Sequence, residues 1–146
     1  MSHPPTDDVV AIEQVLYRYA HILDRGTIDE ALDLFAAEAT LITEMGGGRT
    51  HHEGRAAVRE WLQTYHFDRA GRIRNMRHKV STPLIEGDST RATAVSYLDA
   101  DGVDTGSGRG RVTVGRYEDL FERSGHRWLI SERQIMIADR HYFADE

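Results

Sequence analysis

The N-terminal part of the chain has the periodicity of an amphipathic helix. Between Thr6 and about Asp24 the apolar residues recur every three or four positions, so they share one helical stripe. The residues of this stripe are Ile12, Val15, Leu16, Tyr19, Ile22 and Leu23. Thr6 is a candidate N-cap, and the acidic residues Asp7 and Asp8 suit the positive end of the helix dipole. The pattern predicts a first helix from Thr6 to about Asp24.

Two shorter helices are predicted after a break at Gly26. Thr27 and Glu30 have the spacing of a capping box. The residues that follow are expected to form the apolar face of a short second helix: Ala31, Leu32, Leu34 and Phe35. A third helix is predicted from about Arg55 to Tyr65, with an apolar stripe that consists of Val58, Trp61, Leu62 and Tyr65.

The remaining segments have strand patterns. Residues 40–43 are β-prone and lead into the glycines 46–48, which predicts a hairpin. From Arg74 onward apolar and polar residues alternate, which is typical of strands with one buried face. The predicted strands span 74–87, 90–98, 111–123 and 127–138, and the polar, Gly-rich stretch 99–110 is expected to be a loop. Helices followed by an antiparallel meander indicate an α+β fold, with the helices on one face of a curved sheet.

Composition narrows the class of protein. The 146 residues include no cysteine, 40% are hydrophobic, and the formal charge is −6. A chain of this length and hydrophobic content can bury a core as a single domain. The absence of cysteine excludes disulfide scaffolds and cysteine-based zinc sites. The acidic balance disfavours a nucleic-acid surface. No apolar run approaches the about 18 residues of a membrane span, and no secretory signal pattern stands at the start, so we expect a cytoplasmic location.

Several blocks of sequence resemble SnoaL-like domains of the nuclear transport factor 2-like superfamily. The opening of these domains is similar to Tyr17-Arg18-Tyr19-Ala20-His21-Ile22-Leu23-Asp24-Arg25-Gly26 followed by Ala31-Leu32-Asp33-Leu34-Phe35. Four further blocks follow in the same order, at 53–58, 77–83, 115–119 and 128–133. Together they cover about residues 9–140, which predicts one SnoaL-like domain over residues 1–146.

The resemblance implies a cone-shaped fold. In such a fold a strongly bent antiparallel sheet wraps around a long first helix, and a mostly apolar pocket opens at the wide end. Relatives include dehydratases, a dehydrochlorinase, polyketide cyclases, an isomerase and the β subunits of ring-hydroxylating dioxygenases, so the fold does not name a reaction. The dehydratase-like branch implies an Asp–His pair assisted by a tyrosine, and the matching positions are Asp24, His78 and Tyr19.

Helix geometry leaves a second tyrosine open. On an ideal helix Asp24 lies about 140° from Tyr19 but only about 20° from Tyr17. We rank Tyr19 first, because ideal angles fail at a frayed helix end. Asp24 alone is also compatible with a helix-end residue that binds local amides, and His78 alone with a core histidine.

The pair would perform proton transfer. A carboxylate that accepts a hydrogen bond from one imidazole nitrogen leaves the other nitrogen as a base, and a tyrosine hydroxyl can stabilise developing negative charge. Such steps need neither metal nor cofactor, and we predict none. The consecutive His51, His52 and Glu53 point to alternate sides of a strand and do not converge on one ion. Residues expected to bind substrate are Tyr17, Trp61, Met76, Leu98, Tyr117, Trp128 and Met136.

Three functions are compatible with this pattern. The first is a cofactor-independent lyase or isomerase that removes a proton from a hydrophobic, cyclic small molecule. The second is a polyketide-cyclase-like enzyme, and the third is a non-catalytic ligand-binding or oxygenase β-type subunit module. A contact between Asp24 and His78 beside an apolar cavity would favour an enzyme. No membrane or nucleic-acid partner is expected. A homodimer or homotrimer is predicted through an outer sheet face that carries Val95, Tyr97, Thr113, Tyr117 and Phe121.

Overall fold

Three helices pack on one six-stranded sheet in the computed structural model, which describes residues 2–143. The helices are α1 (Thr6–Arg25), α2 (Ile28–Leu32) and α3 (Arg55–Tyr65), and a 3₁₀ turn follows at Phe67–Arg69. The strands are β1 (Phe35–Met45), β2 (Gly48–Glu53), β3 (Ile73–Gly87), β4 (Arg91–Asp104), β5 (Gly110–Ser124) and β6 (Arg127–Tyr142). This is the predicted α+β architecture. Within the described residues, no helix has the length and apolar character needed to cross a membrane.

The helix ends follow local capping chemistry. The capping box of α2 is present: Thr27 Oγ1 accepts from the main-chain N–H of Glu30, and the Glu30 side chain accepts from the N–H of Thr27. The predicted cap of α1 is wrong, because Thr6 is already helical and Pro5 stands at the N-cap without a side-chain hydrogen bond. The acidic residue Asp8 is buried in the first turn instead.

The second helix is shorter than predicted. It ends at Leu32, and Phe35 begins β1, where it pairs with Ile130 of β6 and is fully buried. Leu34 already contributes its carbonyl to the N–H of Ile130, at 2.9 Å. The apolar run that suggested a longer helix therefore serves a buried strand, which the apolar character alone does not distinguish from a helix.

The sheet has the order β2-β1-β6-β5-β4-β3. All neighbouring pairs are antiparallel except β1 and β6, which run parallel, so the sheet is mixed. The first and last strands thus meet in the interior of the sheet, whereas β2 and β3 form its two edges. The position of β3 at an edge matters for the site, because an edge strand has main-chain groups without a strand partner.

Two strands extend into the stretch predicted as a loop. β4 continues to Asp104 and β5 begins at Gly110, which leaves a short connection at 105–109. Gly102 belongs to the added part of β4, where a Cβ atom would lie 2.3 Å from Cγ2 of Ile73. The glycine therefore allows β3 to pack closely and does not mark a loop.

The core lies between the inner face of α1 and the concave face of the sheet. Its fully buried residues include Ile12, Leu16, Tyr19, Phe35, Leu41, Val58 and Ile130. Thr113, Tyr117 and Phe121 also point inward and are buried, so they do not belong to the predicted outer patch. On the outer face, Val95 is half-buried and Tyr97 is 52% exposed.

Candidate active site

A cavity of about 200 Å³ lies where the C-terminal end of α1, helix α3 and strands β3–β6 converge. Its apolar lining includes Leu23, Met45, Trp61, Leu62, Met76, Leu98, Ile135 and Ile137. Asp24, His78 and Tyr19 also line it. The three residues named as the catalytic set are therefore at the wall of one cavity.

Asp24 and His78 are in direct contact. Nδ1 of His78 lies 2.6 Å from Oδ1 of Asp24, and the two side chains are only 11% and 12% exposed. An ionised carboxylate can only accept hydrogen bonds, so this contact assigns the ring proton to Nδ1. No hydrogen-bond partner for Nε2 is found among residues 2–143. The lone pair of Nε2 is then left for a group in the cavity.

The same carboxylate also holds the backbone of β3. The main-chain N–H of His78 donates to both oxygens of Asp24, at 3.1 and 3.0 Å. His78 stands on the edge strand, and the carboxylate from α1 supplies the acceptor that a further strand would otherwise provide. Two donors of one residue are thus satisfied by one side chain, which fixes both the position and the ring orientation of His78.

A bulge in β3 precedes the histidine. Asn75 has φ +55°, and the pairing with β4 shifts by one residue between Arg74 and Arg77. An extra residue on one strand changes which side chains face the core. Beyond the bulge His78 pairs with Ala100, and both residues line the cavity.

Tyr19 and Tyr117 enclose a buried arginine beside the cavity. The guanidinium of Arg133 lies 4.3 Å from the ring centre of Tyr19 and 4.1 Å from that of Tyr117. It also donates two hydrogen bonds to Asp119, at 2.7 and 2.9 Å, and both charged side chains are fully buried. Burial lowers the pKa of Arg133, but the Asp119 carboxylate outweighs this and raises it above its ordinary value. Arg133 therefore stays a cation behind the two rings.

The Tyr19 hydroxyl is a neutral donor. Burial raises the pKa of Tyr19 above its ordinary value, although the nearby Arg133 cation opposes this. Sequence reasoning left Tyr17 as an alternative. Tyr17 packs against the core and is not among the residues that line the cavity, whereas Tyr19 is.

A second histidine that sequence reasoning missed lies beside the first. The ring of His66 is 5.7 Å from that of His78, and its Nε2 is 2.6 Å from the main-chain oxygen of Leu23. A carbonyl oxygen only accepts, so Nε2 carries the proton. Burial lowers the pKa of His66 below its ordinary value, which keeps the ring neutral. His66 follows the last residue of α3, where no periodic pattern marks it.

The predicted substrate-binding residues fall into two groups. Trp61, Met76, Leu98 and Tyr117 line the cavity together with the dyad. Trp128 and Met136, like Tyr17, are not among its lining residues. Trp128 instead donates from Nε1 to the buried Asp8 near the other end of α1, at 3.0 Å. Met136 alternates with Ile135 and Ile137 on β6, and these two isoleucines line the cavity, so Met136 lies on the other face.

Several polar residues that line the cavity were not predicted as site residues from the sequence. Arg69, Arg72, Arg111, Arg140 and Tyr65 all contribute to the lining. Arg111 begins the strand predicted at 111–123, whereas Arg140 lies beyond the predicted end of the last strand at 138. β6 continues to Tyr142, and this extension, which the alternation did not indicate, pairs Arg140 with β5. Within residues 2–143 there is no cluster of three or more His, Asp or Glu side chains arranged to hold a metal ion.

Solved structures with the same fold are distant in sequence. One protein proposed to be a scytalone dehydratase, from Novosphingobium aromaticivorans, is 19% identical, with a TM-score of 0.79 over 96% of this chain and 90% of that one. The hexachlorocyclohexane dehydrochlorinase LinA-type3 from Novosphingobium barchaimii LL02 is 12% identical, with a TM-score of 0.78 over 96% and 92%. An NTF2-like protein with a cystatin-like fold, from Novosphingobium aromaticivorans, is 19% identical, with a TM-score of 0.72 over 91% and 83%.

The family is shown by the sequence itself. No curated protein matches the chain. The family model of the SnoaL-like domain, in contrast, matches residues 4–134, which is most of the length and includes both members of the dyad. The similar structures show the same fold, in agreement with the resemblance found in the sequence blocks. The chain belongs to the SnoaL-like domain family.

Proposed function

We propose that this protein is a lyase-like enzyme in which His78 removes a proton from a hydrophobic, cyclic small molecule bound in the cavity. The observation that carries the proposal is the 2.6 Å contact between Nδ1 of His78 and Oδ1 of Asp24 at the cavity wall. A buried carboxylate that orients an imidazole leaves its distal nitrogen as a general base.

The reaction proposed is an elimination. Nε2 of His78 takes a proton from a substrate carbon, and the C–H electron pair forms a double bond to the neighbouring carbon. The leaving group departs with its bonding electrons, either as a halide or as a hydroxyl that takes the proton from Nε2–H of His78 and leaves as water. Asp24 stabilises the imidazolium that forms, and the neutral hydroxyl of Tyr19 donates a hydrogen bond where negative charge develops.

The apolar lining supports a hydrophobic substrate. A dry cavity of about 150 Å³ is large enough for benzene. The 200 Å³ here is therefore suited to a single ring with short substituents. The names of two similar structures, a dehydrochlorinase and a proposed dehydratase, agree with elimination chemistry. A polyketide-cyclase-like reaction would use the same base, and a non-catalytic binding module would not need the dyad. The homodimer or homotrimer and the cytoplasmic location stay predictions.

Replacement of the base tests the proposal. Wild-type protein and the His78→Ala variant are incubated with halogenated and hydroxylated cyclic compounds in deuterated buffer, and product and deuterium incorporation are followed by mass spectrometry. We expect turnover or exchange in wild type and a loss of at least about 10²-fold in the variant, as is typical of a general base. Equal rates in both proteins would contradict the assignment.

A matched control separates chemistry from folding. His21 is an exposed histidine of α1 that does not line the cavity, and His21→Ala should retain the wild-type rate. Thermal unfolding of all three proteins verifies that the His78 variant is folded at the assay temperature.

A further inference from the structure

Four arginines contribute to the lining of the cavity. They are Arg69, Arg72, Arg111 and Arg140. The acidic residues of the lining are already engaged. Asp24 binds His78, and Asp101 accepts hydrogen bonds from Lys79 at 2.5 Å and from Arg77 at 3.1 Å. Among residues 2–143, no carboxylate forms a salt bridge with any of the four.

Strand pairing brings two of these cations together. In the β5–β6 pair Thr113 faces Arg140, and Arg111 faces Tyr142. Arg111 and Arg140 are therefore diagonal neighbours on the same face, a separation that long side chains bridge. Arg140 donates from Nε to the Thr113 hydroxyl at 3.3 Å, which holds its guanidinium against the sheet.

Tyr65 contacts both Arg140 and a third arginine of the cavity lining, Arg69. Nη2 of Arg140 donates to the Tyr65 hydroxyl at 2.8 Å, and the guanidinium of Arg69 lies 5.6 Å from the centre of the Tyr65 ring. The tyrosine belongs to the last turn of α3, and Arg69 to the 3₁₀ turn that follows. Three separate elements thus direct positive charge to one side of a cavity.

This convergence is unfavourable without a counterion. Nε of Arg111 is buried and has no hydrogen-bond partner among the described residues. Burial, followed by repulsion from Arg140, lowers the pKa of Arg111 below its ordinary value. Buried charges in proteins are paired, because an unpaired donor or cation loses its hydration without compensation. A ligand that brings anionic oxygens would satisfy these donors.

We propose that Arg111 and Arg140, with Arg69 beside them, bind an anionic oxygen group of the substrate, a carboxylate or a phosphate ester. Arginine suits this role, since its planar fork donates two parallel hydrogen bonds to such groups. Given the proposed function, on which this step rests, the substrate is an amphipathic acid. Its apolar ring lies against the apolar lining near His78, and its anion contacts the arginines.

Matched ligands test the charge requirement without any need for turnover. Binding of cyclohexanecarboxylate, cyclohexyl phosphate and the neutral cyclohexanecarboxamide is measured by calorimetry at low ionic strength. In wild type we expect at least one anion to bind about tenfold or more tightly than the amide, because charge-assisted hydrogen bonds are about twice as strong as neutral ones. The stronger of the two anions identifies the group that the site prefers.

Two double variants test which arginines cause the preference for an anion over the amide. In Arg111→Gln/Arg140→Gln the anion-to-amide ratio should fall to about one, while the affinity for the amide stays the same. Arg18→Gln/Arg91→Gln removes two positive charges from exposed residues outside the cavity lining and should keep the wild-type ratio. Arg140→Gln alone, at an exposed position, should lower the ratio even if the loss of Arg111 disturbs folding.

The outcomes separate this proposal from the proposed reaction. If neither anion binds better than the amide in wild type, or if the Arg111/Arg140 variant keeps the preference, the anion site is wrong. His78→Ala should retain the preference and lose turnover. A wild-type protein that eliminates from neutral rings but shows no anion preference would overturn the anion site alone. A preference without turnover or exchange on cyclic acids would overturn the proposed reaction alone.

Discussion

At the scale of single residues, Asp24 acts on both the ring and the backbone of His78. Its two oxygens accept from Nδ1 and from the main-chain N–H. In Asp24→Asn one oxygen becomes an NH₂ group that cannot accept. In either orientation this group faces the main-chain N–H of His78, and in place of Oδ1 it also faces Nδ1. We expect turnover to fall by at least about 10²-fold. The free energy of unfolding should fall by about 1–3 kcal/mol, because a donor then faces a donor where a hydrogen bond to a charged carboxylate stood.

Steady-state kinetics and urea unfolding measure the two effects of Asp24→Asn in the same preparation. Asp29→Asn is the matched control, since the Asp29 side chain is 80% exposed and pairs with Arg59 at the surface. The control should change neither quantity appreciably. Turnover of Asp24→Asn within twofold of wild type would show that the carboxylate does not orient the base.

The pair of Arg133 and Asp119 is a second residue-scale prediction. Both side chains are fully buried. Arg133→Met leaves a buried carboxylate without its cation, so the free energy of unfolding should fall by about 3–5 kcal/mol. The double variant Arg133→Met/Asp119→Leu removes both charges and should recover much of that loss. Urea unfolding of the single and double variants measures this, and a double variant that is less stable than Arg133→Met would contradict the argument.

Some residues of the site could be predicted from the sequence, and others could not. Asp24, His78 and Tyr19 were identified because their order and spacing resemble a family motif, and the fold places them together at the cavity. Trp128 was expected there because it is aromatic, but its indole N–H is bound to Asp8. Aromatic character predicts burial, whereas the partner of a buried N–H depends on contacts 120 residues apart in the chain.

At the scale of elements, local signals predicted helices better than strand ends. The capping box and the apolar stripes gave α2 its start and α3 both of its ends. The end of β4 was missed because Gly102 and the polar residues near it resemble a loop. The end of β6 was missed because the alternation of apolar and polar residues stops at the polar run Asp139-Arg140-His141. Strand pairing decides these ends, and pairing depends on distant segments. The parallel contact of β1 with β6 is missed for the same reason.

His66 links three elements and makes stability depend on pH. It follows α3, precedes the 3₁₀ turn and binds Leu23 of α1. Burial lowers its pKa below the ordinary 6.5, so the unfolded chain binds more protons than the folded chain at slightly acidic pH. The sign follows from linkage: the folded state is favoured fully above about pH 6.5 and loses this contribution as pH falls towards the folded pKa.

Substitution of His66 tests this dependence. His66→Gln keeps a side-chain N–H for the Leu23 carbonyl but does not titrate. We expect the unfolding temperature of wild type to fall more steeply between pH 7 and 5 than that of the variant. Calorimetry at several pH values measures the two slopes, with His126→Gln, an exposed position in the β5–β6 turn, as the control. Parallel slopes for wild type and His66→Gln would contradict the prediction.

At the scale of the whole molecule, α1 is held to the sheet near both of its ends by carboxylates. Its 20 residues span about 30 Å. Near the C-terminal end Asp24 binds His78, and in the first turn Asp8 accepts from Nε1 of Trp128 at 3.0 Å and from Arg123 at 2.8 Å. In both contacts an aspartate carboxylate of α1 accepts hydrogen bonds from side chains of the sheet. Of the two, the contact between Asp24 and His78 lies at the cavity.

Replacement of Asp8 should therefore lower stability alone, whereas replacement of Asp24 should lower both stability and turnover. Asp8→Asn keeps an oxygen that can accept from Trp128 and Arg123, but it removes the negative charge that pairs with Arg123 and lies at the positive end of the helix dipole. The free energy of unfolding should therefore fall by about 1–3 kcal/mol, because the hydrogen bond to Arg123 loses its charge assistance. The dyad lies near the opposite end of α1, so turnover per folded molecule should stay at the wild-type value. Urea unfolding and steady-state kinetics well below the unfolding temperature measure both quantities. A loss of turnover in Asp8→Asn as large as that in Asp24→Asn would mean that α1 positions the base as a rigid unit, and that the contact at Asp24 is not sufficient by itself.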